Sequence, residues 1–253
     1  MSKIKIELIT LGYTPENIDF KKLIRLRSSL FEFTGQVNNH KLYSDSNGTH
    51  DWSFEDVNLR EVIPQPSTGT DFLLAVTNVP LQDNWYSRRI GNNIIVLTFH
   101  EIKDILNHYN IPLENIIKRV CYAYSLVYLS ADRRIPDYNE GVKTNFTHDE
   151  TRGCLFDMNG IKTDIIESCD SPQICGYCQE RLFSRRVPEN KVKTICKEIL
   201  KIRKPLYYRM HTHIKKHPII ALILTSLLAI LLGIIGSTLA SIIYDNFIKT
   251  SAL

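Results

Sequence analysis

The chain has 253 residues, a net charge of +4 and six cysteines. The positive excess gathers ahead of residue 218 with no nucleic-acid reader motif beside it, which argues against nucleic acid and for anionic lipid headgroups as the partner of that charge. Setting aside the C-terminal apolar run and its basic approach leaves about 180 residues, enough for one domain with a real core.

Ile4, Ile6 and Leu8 alternate with Lys3, Lys5 and Glu7, the pattern of a half-buried strand, and Gly12 ends it. Charges inside this opening segment exclude the apolar centre of a signal peptide. Asp19 to Phe33 reads as a helix with Leu23, Leu26, Leu30 and Phe31 on one side. The polar stretch from Asn38 to Asp56 reads as loop around a short strand. Asp71 to Val79, closed by Pro80, and Asn93 to Phe99 are continuous apolar strands. Such runs belong to strands covered on both faces, so the expected class is α/β (α+β), a mixed sheet with flanking helices. His100 to His108 reads as a short helix. Pro112 opens a longer one to about Ala131, with Ile116, Val120, Ala123 and Val127 as its core stripe. Asp132 to Phe146 is charged and loop-like.

From Ile219 to Tyr244 no Asp, Glu, Lys, Arg or His interrupts the chain. A bilayer core of about 30 Å needs roughly 20 helical residues, so this run can span it. Lys197, Lys201, Arg203, Lys204, Arg209, Lys215 and Lys216 precede the run, whereas Asp245 and Lys249 follow it. Positive charge stays on the cytoplasmic side, which places the N-terminal body in the cytoplasm and a short tail across the membrane. In that reducing compartment the cysteines are not expected to form structural disulfides, and the sequons at Asn47 and Asn145 are chance. The expected domains are a body over 1–182, a basic juxtamembrane segment over 183–217, a membrane helix over 218–244 and a tail over 245–253. Within the helix Ala221, Thr225, Ala229, Gly233, Ser237 and Ser241 recur every four residues. Small residues at this spacing let two helices approach closely, so Ala229, Gly233 and Ser237 mark a face for homo-oligomerisation.

The chemistry-bearing residues cluster late in the body. His148 and Cys154 are followed by Cys175-Gly-Tyr-Cys178. A Cys-x2-Cys pair is half of a tetrahedral zinc site, and Cys154 supplies a third thiolate. The fourth ligand is His148 or Cys169. Four protein ligands leave no open position, so the zinc is expected to be structural rather than catalytic.

The segments Asp71-Phe-Leu-Leu-Ala-Val-Thr-Asn-Val-Pro-Leu81, Ile94-Ile-Val-Leu-Thr-Phe-His-Glu101, Gly153-Cys154 and Cys175-x2-Cys178 together resemble archaemetzincin-type zinc peptidases over about residues 3–182. The resemblance implies that family's fold and its structural zinc site. It does not carry over the activity. The family's His-Glu-x-x-His helix corresponds here to Val120-Cys-Tyr-Ala-Tyr-Ser-Leu-Val-Tyr-Leu129, which puts Cys121 and Ser125 at the zinc histidines and Tyr122 at the glutamate. The family's upstream cysteine is also missing, and Asp149 stands at that spacing.

Other residues invite a functional reading. His148-Asp149-Glu150 with Arg152 and Asp157 would serve a membrane-bound zinc hydrolase. Arg88-Arg89 and Arg185-Arg186 would grip the phosphates of a nucleotide-type ligand. Against these stand blander roles: loop bracing, exposed arginine pairs, Cys121 as a small core residue, Trp52 and Trp85 as packing residues. The expectation is therefore a catalytically silent, membrane-anchored sensor or effector with an unknown cytoplasmic ligand or protein partner. One concrete form is signalling by helix association in a prokaryotic stress or antiviral response.

Overall fold

The structure, a computed structural model, describes residues 2–42, 52–137, 146–149 and 151–244. Glu150, both sequon asparagines, the tail from Asp245 and much of the two expected loops lie outside the described residues. The chain divides into two units, Met1–Lys204 and Pro205–Leu253.

The first unit is built on five strands: β1 (Ile4–Leu11), β2 (Phe31–His40), β3 (Phe72–Thr77), β4 (Ser87–Gly91) and β5 (Ile94–Thr98). Its helices are α1 (Phe20–Ile24), α2 (Asp56–Val62), α3 (Ile102–His108), α4 (Glu114–Ser130), α5 (Ile165–Cys169), α6 (Gly176–Ser184) and α7 (Glu189–Ile199). The sheet order is β2-β1-β3-β5-β4; all neighbours run parallel except β4, which pairs antiparallel with β5 and forms one edge.

The sheet is covered on both faces, as continuous apolar strands require. Ile6, Leu8, Leu74, Val76, Ile95 and Leu97 face one core, shared with α3, α4 and the later helices. Ile9, Leu11, Leu73, Ala75, Ile94 and Val96 face the other, against Leu59 and Ile63. Helix α4 is buried nearly all round and forms the spine of the larger core.

One expected helix is wrong. Asp19 to Phe33 splits into the five-residue α1 and the start of β2. Asp19 caps α1 by accepting from Lys22 N at 2.9 Å, but Ser28 then turns its hydroxyl to Leu30 N at 3.0 Å. Local side-chain bonds of this kind compete with helix continuation. Beyond them Phe31 and Phe33 pair in register with Ile4 and Ile6, so the stretch follows a strand's period of two and not a helix's.

The body also runs past residue 182, to Lys204. Helix α7 buries Val192, Ile195 and Ile199, so it belongs to the core and not to a juxtamembrane segment. Glu198 ties it in. Its carboxylate accepts from Ser28 Oγ and Ser29 N at 2.9 Å and from Tyr122 Oη at 2.8 Å. Burial pushes the Glu198 carboxyl up, and the bonds from Ser29, Tyr122 and Ser28 outweigh it, leaving the group below its ordinary value. A depressed acid stabilises the fold above its unfolded pKa and loses that contribution as pH falls through the folded pKa. Glu198→Gln should therefore cost about 1–3 kcal/mol at neutral pH, with the gap from wild type closing as the medium is acidified below the carboxylate range. Denaturant melts across pH check this; a pH-independent gap would contradict it.

The second unit contains α8 (Leu206–Lys216) and α9 (Pro218–Ile243). The single helix among the described residues long and apolar enough to cross a membrane is α9, with 26 residues and a mean hydropathy of 2.8. Its hydroxyls bond back to its own carbonyls, Thr225 to Ala221 O at 3.0 Å and Ser226 to Leu222 O at 2.9 Å. Such back-bonding lets a hydroxyl sit in an apolar surrounding without water.

Candidate metal centre and the cleft over the central helix

Two short stretches of strand-like pairing bring the metal-ligand candidates together. His148 N donates to Phe156 O at 3.0 Å, and Met158 N returns to His148 O at 2.9 Å. Leu155 N donates to Gln173 O, and Gln173 N to Gly153 O. Gly153 takes φ +80, a left-handed conformation that side chains rarely adopt, so the turn that presents Cys154 favours glycine. Cys175 is the residue before α6 and Cys178 lies in its first turn, where the helix dipole favours thiolates.

The ligand atoms of His148, Cys154, Cys175 and Cys178 all lie within 4.8 Å of one another. A tetrahedral zinc with Zn–S near ~2.3 Å and Zn–N near ~2.0–2.1 Å sets S–S edges of about 3.8 Å and S–N edges of about 3.5 Å. The observed edges are 3.9 Å between Cys154 Sγ and Cys178 Sγ and 3.5 Å between Cys175 Sγ and His148 Nε2. The donor set and its geometry fit a structural zinc. The hydrogen bond between the two thiols holds Cys154 below its ordinary pKa, and the same bond with burial raises Cys178. A dication would displace that shared proton.

Of the two candidates for the fourth position, His148 is in the cluster. Cys169 is not. It is fully buried, its thiol is pushed up to about 12 by burial, and its carbonyl accepts from Asn115 Nδ2 at 3.0 Å. His148 Nδ1 is buried without a hydrogen-bond partner, as is Asp157 Oδ2. Metal-bound histidines ordinarily donate that second nitrogen to a carboxylate, and the Asp157 carboxyl is close enough to His148 to feel it electrostatically.

Of the other arginines singled out in the sequence, three are engaged within the body. Arg152 pairs with Asp164 at 3.5 Å. Arg88 is held by Asp56 in a two-pronged pair at 2.6 and 2.7 Å and by Asp83 at 3.1 Å, so its guanidinium braces the edge strand β4 against α2. Arg185 lies over the Phe146 ring at 4.8 Å. Trp52, expected to pack, is 70% exposed with its edge toward His100, whereas Trp85 is half-buried.

A cleft of about 610 Å³ opens between β4, α4 and the segments around Phe146 and Phe156. Helix α4 turns Arg119, Val120, Ala123, Tyr124 and Val127 into it. The positions that the resemblance assigns to zinc ligands and base lie elsewhere. Cys121 and Ser125 are fully buried and do not line the cleft, and burial raises the Cys121 thiol. Tyr122 packs on Phe31 and donates to Glu198. Arg119 is the residue that sequence reasoning missed. A charged side chain in a helix ordinarily faces solvent, and nothing in the sequence pattern marks this one as buried.

Fold and site together define an α/β body carrying a three-cysteine, one-histidine centre that can hold zinc, followed by a helix apolar enough to span a membrane. Among solved structures, the chain is similar to archaemetzincin from Methanopyrus kandleri, at 14% identity over 73% of this chain and 96% of that one, with a TM-score of 0.44. No family model and no curated protein matches the chain.

Proposed function

We propose that this chain is a membrane-anchored binding protein whose zinc-stapled body takes a ligand in the cleft over α4 without cutting it. His148, Cys154, Cys175 and Cys178 hold the zinc as a structural staple. The observation that carries the reading is the chemistry of the cleft. Hydrolysis through a metal-activated water needs several ligands converging on an open coordination position. The α4 residues facing the cleft are an arginine, an alanine, two valines and a tyrosine, which recognise rather than activate. The only cluster of three or more potential ligands among the described residues is the four-donor centre.

The cationic approach to α9 orients the body toward the cytoplasm. The ladder through Ala229, Gly233 and Ser237 lets copies associate, so ligand binding in the body has a route to a membrane output. Purified protein should contain one zinc per chain and should not cleave casein or short peptides with or without added zinc. Two zinc ions per chain, or zinc-dependent cleavage lost on changing a cleft residue, would overturn this reading in favour of a hydrolase.

A further inference from the structure

The cleft over α4 contains a charge that no carboxylate among the described residues pairs at ion-pair distance. Arg119 is only 1% exposed. Its two hydrogen bonds go to neutral oxygens, the Tyr86 hydroxyl at 2.7 Å and the Asp157 carbonyl at 3.0 Å. Its Nε has no partner. The Asp157 carboxylate acts on it through space, outside ion-pair distance, and is itself bonded through Oδ1 to Asn159 N at 2.9 Å. Burying a guanidinium costs several kcal/mol even after relaxation; here two neutral oxygens and the Tyr86 ring, 5.3 Å from the guanidinium carbon, offset part of it with no carboxylate among the described residues at ion-pair distance. Beside it, on the edge strand, Arg89 is half-buried and gives one bond to Pro136 O at 3.0 Å. Both arginines line the same cleft, where Asp157 is the one acidic residue among the described residues, and the rest of the wall includes Trp85, Tyr124, Phe146 and Phe156.

The geometry points to a small organic anion as the ligand: an acid group held by Arg119 and Arg89, and a flat apolar body lying against Tyr124, Phe146 and Phe156. Arginine is suited to this task because its planar fork matches an acid group and stays charged when buried. A volume of about 610 Å³ is ample for such a molecule. The inference rests on the reading of the cleft as a binding site and names its ligand class. A carboxylate and a phosphate monoester share this chemistry, and the head group that binds tighter identifies the source.

The test uses the full chain in lipid nanodiscs, with empty nanodiscs as blank, and fluorine NMR of three probes: para-trifluoromethylbenzoate, para-trifluoromethylphenyl phosphate and the neutral para-trifluoromethylbenzamide. At least one acid should bind about tenfold or more tighter than the amide, a difference of about 1.4 kcal/mol. Arg119→Gln should abolish the preference for the acid. Arg89→Gln, at a half-buried position, should weaken acid binding about tenfold, and it carries the test if Arg119→Gln fails to fold. The inference is overturned if the amide binds as tightly as the acids, if neither acid binds at millimolar concentration, or if Arg89→Gln binds them like wild type. An amide that binds equally well would leave the cleft a binding site for neutral ligands and the proposed function intact, whereas zinc-dependent proteolysis would remove that function itself.

Discussion

Cys178→Ser will strip zinc from the protein and collapse the stability of the body. Zinc binding in small sites supplies about 10–16 kcal/mol at neutral pH, and because no preformed site exists in the unfolded chain, that energy is folding energy. A domain's whole stability is about 5–15 kcal/mol, so loss of the ion is large on that scale. The centre joins two separate pieces of the later body: His148 and Cys154 from the paired stretches, Cys175 and Cys178 from the start of α6. Without it, α6 loses its anchor to the segment around Phe156. For a body of this size each kcal/mol shifts the melting temperature by about 2–4 °C, so a fall of more than about 10 °C is expected. Cys196→Ser is the control, since that cysteine lies outside the cluster and is half-buried. It should keep one zinc per chain and melt close to wild type. Metal analysis with thermal melts reads both outcomes. A Cys178→Ser protein that melts like wild type, with no zinc in either, would remove the metal from the account.

What the sequence makes legible follows from how strongly each element is patterned. β1 alternates, and β3 and β5 are unbroken apolar runs, so all three can be read directly. β4, Ser-Arg-Arg-Ile-Gly, has neither pattern, because an edge strand can carry arginines whose heads turn to partners off the sheet, as Arg88 does toward Asp56. β2 is hidden by a different cause: its first residue continues the spacing of Leu23, Leu26 and Leu30, and only the side-chain bonds of Ser28 and Glu198 show why the helix stops. α7 has a readable stripe in Val192, Ile195 and Ile199, masked by the surrounding lysines. The metal centre is legible because thiolate spacing is dictated by the ion. The cleft is not, because it is made by residues from β4, α4 and the 146–158 stretch that no local period connects.

The last expected result concerns α9, and it is a matter of arithmetic. The helix contains fifteen leucines and isoleucines. At about −0.3 to −0.6 kcal/mol each on insertion scales these contribute about −5 to −9 kcal/mol, and one arginine at the centre opposes them by about 2.5–3.5 kcal/mol. Leu231→Arg alone should therefore leave the protein in the membrane. Leu228→Arg with Leu231→Arg brings the sum near zero and should release a large share of the protein to the soluble or alkali-extractable fraction. Gly233→Leu separates anchoring from association. Apart from its chain neighbours and the helix's own backbone, no atom of the described residues lies within 4 Å of the position a Cβ would occupy there, so the helix itself tolerates leucine. Insertion should be unchanged, and crosslinking between copies in the membrane should fall, because a large side chain on the Ala229–Gly233–Ser237 face keeps two backbones apart. If the double arginine variant stays as firmly membrane-bound as wild type, α9 is not the anchor. If Gly233→Leu crosslinks as wild type does, the small-residue face is not where copies meet, and any output by oligomerisation must arise in the body.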